Sequence, residues 1–122
     1  MTFKDLGIDQ DIYQALEGRG ITSPFPIQEQ AIPLALTGQD IIGQAKTGTG
    51  KTLGFGLPLI QSLGLNPEKG AKALVVVPTR ELAIQVAEDL KHACSNRTTT
   101  VAAIYGGKAY EGQIAEIDAG AQ

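Results

Sequence analysis

Residues 45–52 read AKTGTGKT, a glycine-rich turn set between a short apolar run at 40–44 and a segment in which Leu53, Leu57, Ile60 and Leu63 recur at helical spacing. Strand, loop and helix in that order turn successive backbone N–H groups inward and add the positive end of a helix, so an anionic phosphate is held with few side chains. In this pattern Lys51 neutralises β- and γ-phosphates and Thr52 offers its hydroxyl to Mg²⁺. Gly48 and Gly50 let the backbone come close to the ligand. Gly54, Gly56 and Pro58 all lower the intrinsic helicity of the segment that follows, so burial must hold that helix together.

The flanking sequence supplies the rest of an α/β alternation. Ile8, Ile12 and Leu16 repeat every four residues behind Asp9 as N-cap, and Gly18 and Gly20 stop the pattern, which predicts a first helix over 10–17. A second helix begins at Pro26 and ends before Gly38, with Pro33 inside it as a site of kinking. Residues 73–77, ALVVV, form a continuous β-branched run of the kind buried on both faces of a parallel sheet. Pro78 ends that run, Thr79 can cap a helix whose Leu82, Val86 and Leu90 share a face, and SNRTT closes it. A third strand is expected over 99–105, ending at Gly106-Gly107, and Tyr110, Ile114 and Ile117 mark a last helix. Strands alternating with helices predict right-handed crossovers and a parallel sheet.

Composition removes several function classes. The chain has 122 residues, 43% of them hydrophobic, enough for one packed domain. Its longest apolar stretches are too short to span a bilayer, and the N-terminus carries acids where a signal peptide has a basic and then an apolar region, so a cytoplasmic protein with no membrane partner is expected. Cys94 is the only cysteine and His92 the only histidine, too few soft ligands for zinc and no basis for an internal disulfide. A net charge of −3 argues against a chain-wide electrostatic footprint for nucleic acid but leaves room for local phosphate contacts.

The general phosphate-loop pattern begins with glycine, and here that position is Ala45. Alanine there resembles the DEAD-box RNA helicases, and further stretches agree in order and spacing. GITSPFPIQ, residues 20–28, is similar to the family's Q motif, although Ser23 and Phe25 depart from its commoner basic and threonine residues. PTRELA, residues 78–83, matches the family's motif Ia, and Gly106-Gly107 resembles its paired glycines. A glutamine amide donates and accepts at once, so Gln28 suits the N7 and N6 edge of adenine. The resemblance further implies that Phe3 stacks on adenine and that Ala45, Lys46, Thr47, Gly48, Thr49, Gly50, Lys51 and Thr52 hold ATP or ADP with Mg²⁺. It also implies that Pro78, Thr79, Arg80, Gly106 and Gly107 meet an RNA backbone, without reading its sequence.

What the resemblance implies for the whole is a three-layer RecA-like parallel sheet, here partial, with a helical segment over 1–38 and part of an ATP-binding domain over 39–122. An Asp that holds magnesium should end a buried apolar strand, and no segment of this sequence has that form. In the family the acidic strand and a second RecA-like lobe follow later. The expectation is therefore an ATP-binding part of an RNA helicase that does not hydrolyse ATP by itself, with strand edges exposed and open to dimerisation. A regulatory nucleotide-binding module and a DNA-directed helicase of the same superfamily are the alternatives.

Overall fold

The computed structural model of the chain describes residues 1–48 and 50–122. Among the described residues five helices follow in order: α1 (Gln10–Glu17), α2 (Pro26–Leu36), α3 (Lys51–Leu63), α4 (Arg80–Ala93) and α5 (Tyr110–Asp118). Between them residues 39–46, 71–77 and 99–105 run without helical turns, where the three strands were expected. Among the described residues none of these segments forms a strand ladder. The β-branched alternation is nevertheless expressed in their packing. Val75, Val77 and Val101 press on the core, whereas Leu74 and Val76 face away and are 87% and 83% exposed.

Helix α3 lies between α2 and α4, and α1 packs on α4. The core is continuous across residue 38, joining Phe3, Ile12 and Leu16 to Ile32 of α2, Leu57 and Ile60 of α3, and Val86 and Leu90 of α4. Gly56 explains how α3 comes so near α4: a Cβ there would lie 2.6 Å from Leu90 Cδ2. Thus a residue that weakens the isolated helix is what its packing requires. Pro33 and Pro58 both sit inside continuous helices, each removing one hydrogen bond to the carbonyl four residues back.

Polar side chains tie the helices at their ends. The Gln61 amide accepts from Asp9 N–H at 2.8 Å and donates to the Gly7 carbonyl at 2.9 Å, fixing the entry to α1. Asp9 stands at the N-cap of α1, but its carboxylate makes no cap bond and accepts from Arg97 Nη2 at 2.7 Å instead. Arg97 also donates from Nε to Asp11 Oδ2 at 2.7 Å and from Nη2 to Asp11 Oδ1 at 3.0 Å. This guanidinium is 1% exposed, and its hydrogen bonds hold the Asp11 carboxyl below the ordinary aspartate range. Cys94 is buried beside it, and burial pushes its thiol up, in keeping with an inert cysteine.

Helix α5 is where expected, yet its apolar positions are not its buried face. Tyr110, Ile114 and Ile117 are exposed, and Gln113 is its one buried residue. No described helix is long and apolar enough to cross a membrane.

Candidate nucleotide and nucleic-acid sites

The glycine turn ends on α3 as the sequence pattern requires. Gly48 and Gly50 both have left-handed backbones, with φ of +82° and +81°, a conformation that any other residue enters only with strain. Gly50 is the N-cap of α3, and among the described residues no side chain caps that helix. The first N–H groups of a helix have no partner within the helix, and a start of this form suits an anion. A Cβ on Gly48 would meet nothing within 4 Å, so the turn borders open space. Lys51 is exposed at the first position of α3, Thr52 is half-buried at the second, and Ala45, Lys46 and Thr47 lead into the turn. Thr49 falls outside the described residues.

Gln28 comes to this turn from α2, and its amide is already engaged. Its Oε1 accepts from Phe25 N–H at 2.9 Å, closing the first turn of α2 from the inside, and its Nε2 donates to the Gly50 carbonyl at 2.9 Å. One N–H and one lone pair are left, which still match the N7 and N6 edge of adenine. The residue is 1% exposed, so a base reaches that edge only by displacing what covers it. Gly50 is fixed by the same contact, since a Cβ there would overlap Gln28 Nε2 and lie 2.8 Å from Phe25 Cδ2. Phe3, expected to stack on a base, is instead a core residue at 2% exposure, its ring covered within the cluster that includes Leu6, Ile8 and Ile12.

The second expected site also comes together in part. Thr79 Oγ1 accepts from Leu82 N–H at 3.2 Å and caps α4, so one of its lone pairs is spent on the fold. Arg80 is exposed at the start of α4 and lies against the paired glycines: a Cβ on Gly107 would be 2.7 Å from Arg80 Nη1. Pro78 and Gly106 are exposed beside them. Gln113, which sequence reasoning did not single out, holds this turn. Its Oε1 accepts from Tyr105 N–H at 2.8 Å and its Nε2 donates to the Lys108 carbonyl at 3.2 Å. A buried amide spanning a glycine turn leaves no mark in hydrophobic periodicity, because glutamine reads as a surface residue.

Three solved structures follow the same backbone path. A DEAD box protein from the hyperthermophile Methanococcus jannaschii superposes with a TM-score of 0.87 at 41% identity, covering 96% of this chain and 32% of that one. The RNA-helicase Prp28 from Chaetomium thermophilum, bound to ADP, gives 0.83 at 37% identity over 89% of this chain and 28% of that one. A hypothetical ATP-dependent RNA helicase from Sulfolobus tokodaii gives 0.81 at 34% identity, covering 93% and 32% of the two chains. The fold class is thus the α/β, RecA-like one expected, with its extended segments placed but not laddered.

The sequence carries the relationship further than the fold. The family model for DEAD/DEAH box helicases matches residues 25–122. The DEAD-box ATP-dependent RNA helicase CshA of Geobacillus kaustophilus is 46% identical over 113 residues, which make up 93% of this chain and 24% of that protein. This chain belongs to the DEAD/DEAH box helicase family. It spans about a quarter of the length of that curated relative.

Proposed function

We propose that the chain is the ATP-binding part of a DEAD-box RNA helicase, a cytoplasmic enzyme that couples ATP hydrolysis to RNA unwinding. The observation that carries this reading is the turn itself, two left-handed glycines leading into a helix that opens on Gly50, with Lys51 exposed at its first position. Residues 45–52 would cradle the phosphates, Lys51 would offset their charge, and Gln28 would select adenine. The set also fits Mg²⁺ in a limited way: Thr52 supplies one hydroxyl, which suits an ion that keeps several waters and takes its other oxygens from phosphates. Bound there, the ion would neutralise charge on the β- and γ-phosphates.

Pro78, Thr79, Arg80, Gly106 and Gly107 would meet an RNA backbone. Arg80 supplies the charge and Gly107 the space beside it, a pairing without base readout. These 122 residues are not expected to turn ATP over alone, since no apolar strand in them ends on an aspartate. Self-association through the unladdered segments at 71–77 and 99–105 belongs to the same reading.

Titration with fluorescent ADP tests the site. Binding should vanish in Lys51→Ala, and Gln28→Ala should bring ADP and GDP to similar affinities. Binding that survives Lys51→Ala unchanged places the nucleotide elsewhere and ends this reading.

A further inference from the structure

Helix α5 is held by its polar residue rather than by its apolar ones, and that residue spends its amide on the glycine turn. Gln113 is 4% exposed. Its Oε1 accepts the Tyr105 N–H at 2.8 Å, ahead of Gly106-Gly107, and its Nε2 donates to the Lys108 carbonyl at 3.2 Å and the Ala109 carbonyl at 3.5 Å, behind them. Lys108 is tied to the same helix a second time, its Nζ lying 3.3 Å from Glu116 Oε1. Two successive glycines have more backbone freedom than any other pair, so an unsupported turn here would have to be ordered by whatever binds it. The amide orders it beforehand. Gly107 is kept at φ of +86° with Arg80 Nη1 against it, while a Cβ on exposed Gly106 would meet nothing within 4 Å. The turn is therefore closed toward Arg80 and open toward solvent.

We propose that Gln113 is the positioning residue for RNA-backbone binding, holding Gly107 beside Arg80 so that one phosphate lies against the glycine backbone and pairs with the guanidinium at once. The role rests on the RNA reading above and adds to it a residue that does not meet the ligand, since at 4% exposure Gln113 has no surface to offer a strand. Arg80 supplies the charge, Gly107 admits the phosphate, and the amide fixes the distance between them. Backbone contacts carry no base identity, so Gln113 should act equally on any single-stranded sequence.

Anisotropy of a fluorescent oligouridylate, titrated with the chain over a series of salt concentrations, tests this in the parent, Arg80→Ala, Gln113→Met, Gln113→Asn and the double variant Arg80→Ala with Gln113→Met. Methionine keeps the length of the side chain and removes its hydrogen bonds, whereas asparagine keeps an amide but is one methylene shorter and cannot reach both ends of the turn. Loss of one phosphate contact on a single strand lowers the slope of log affinity against log salt by about 0.7. Arg80→Ala should show that drop, and so should both Gln113 variants although they remove no charge, each with roughly tenfold weaker binding. The double variant should fall no further. A merely structural role leaves the slope of the folded chain at the parent value. The parent slope in both Gln113 variants, an added loss in the double variant, or failure of both Gln113 variants to melt cooperatively therefore overturns positioning, with Arg80→Ala still reporting RNA at this turn. No RNA binding by the parent, or an unchanged slope in Arg80→Ala, removes the RNA site and the positioning role with it.

Discussion

Gly50 concentrates several demands on one backbone position. It must adopt φ of +81°, give its carbonyl to Gln28 Nε2, leave room for the Phe25 ring, and open α3. An alanine there meets both the left-handed penalty and the overlap with the amide, and either alone costs about 1–2 kcal/mol. Gly50→Ala should therefore lower stability by about 2 kcal/mol, roughly 8 °C in Tm for a chain of this size, and should weaken ADP binding as well. Lys51→Ala, one residue on and exposed, should lose ADP with its Tm unchanged. Thermal melts of the two variants side by side check this, and a Gly50→Ala chain as stable as its parent means that Gln28 does not reach the turn.

At the scale of elements, the Arg97 clasp joins the start of α1 to the segment leaving α4 across 86 residues of sequence. Replacing it with methionine keeps the stem's packing but strands Asp11, whose side chain is 24% exposed. Allowing for solvent screening, Arg97→Met should cost about 1–2 kcal/mol at neutral pH. The sign follows from Asp11, whose folded carboxyl sits below its ordinary value of 3.8. Its contribution is whole above that value and fades as pH falls through the depressed one, so the gap between parent and variant should close in acid. Urea unfolding from pH 7 down to about pH 3 checks this, and a gap independent of pH removes the carboxylate from the account. No sequence pattern announced this clasp, because the partners share no period. The helices were legible for the opposite reason: their hydrogen bonds lie within a few residues, so Ile12 and Leu16 mark α1, and Thr79 marks the start of α4. The glycine turn that opens α3 was equally legible as a turn, since Gly48, Gly50, Lys51 and Thr52 lie within five residues of sequence. The engagement of Gln28 by Phe25 and Gly50 was not, nor was the burial of Phe3, because both depend on which helices meet. Strands are relations between distant segments, and 73–77 shows the difference: its alternation is expressed toward the core while its ladder is not.

For the whole molecule the consequence is an edge with unfinished pairing. Gln122 makes one set of backbone bonds between two extended segments, accepting from Lys72 N–H at 2.8 Å and Ala73 N–H at 3.0 Å and donating to the Thr100 carbonyl at 3.2 Å. Beyond it a cavity of about 500 Å³ lies between the 73–77 and 99–105 segments. The Thr99 hydroxyl on its wall is buried and has no hydrogen-bond partner among the described residues. Leu74 and Val76 stand out from the same edge, with Ile42 and Ile104 also exposed. Unpaired backbone beside β-branched side chains is a template for another strand, and a second copy of this chain offers a matching one. The chain should therefore associate with rising concentration in the micromolar range and above. Lysine at Leu74 and Val76 together should suppress that association by placing charge on the edge, and because both residues are more than four-fifths exposed, Tm should hold within about 2 °C. Light scattering after size exclusion across a concentration series checks both. A parent chain that stays monomeric throughout, or a double variant that associates as readily as the parent, would mean that this edge is closed in solution and that the alternation at 73–77 is satisfied within one molecule.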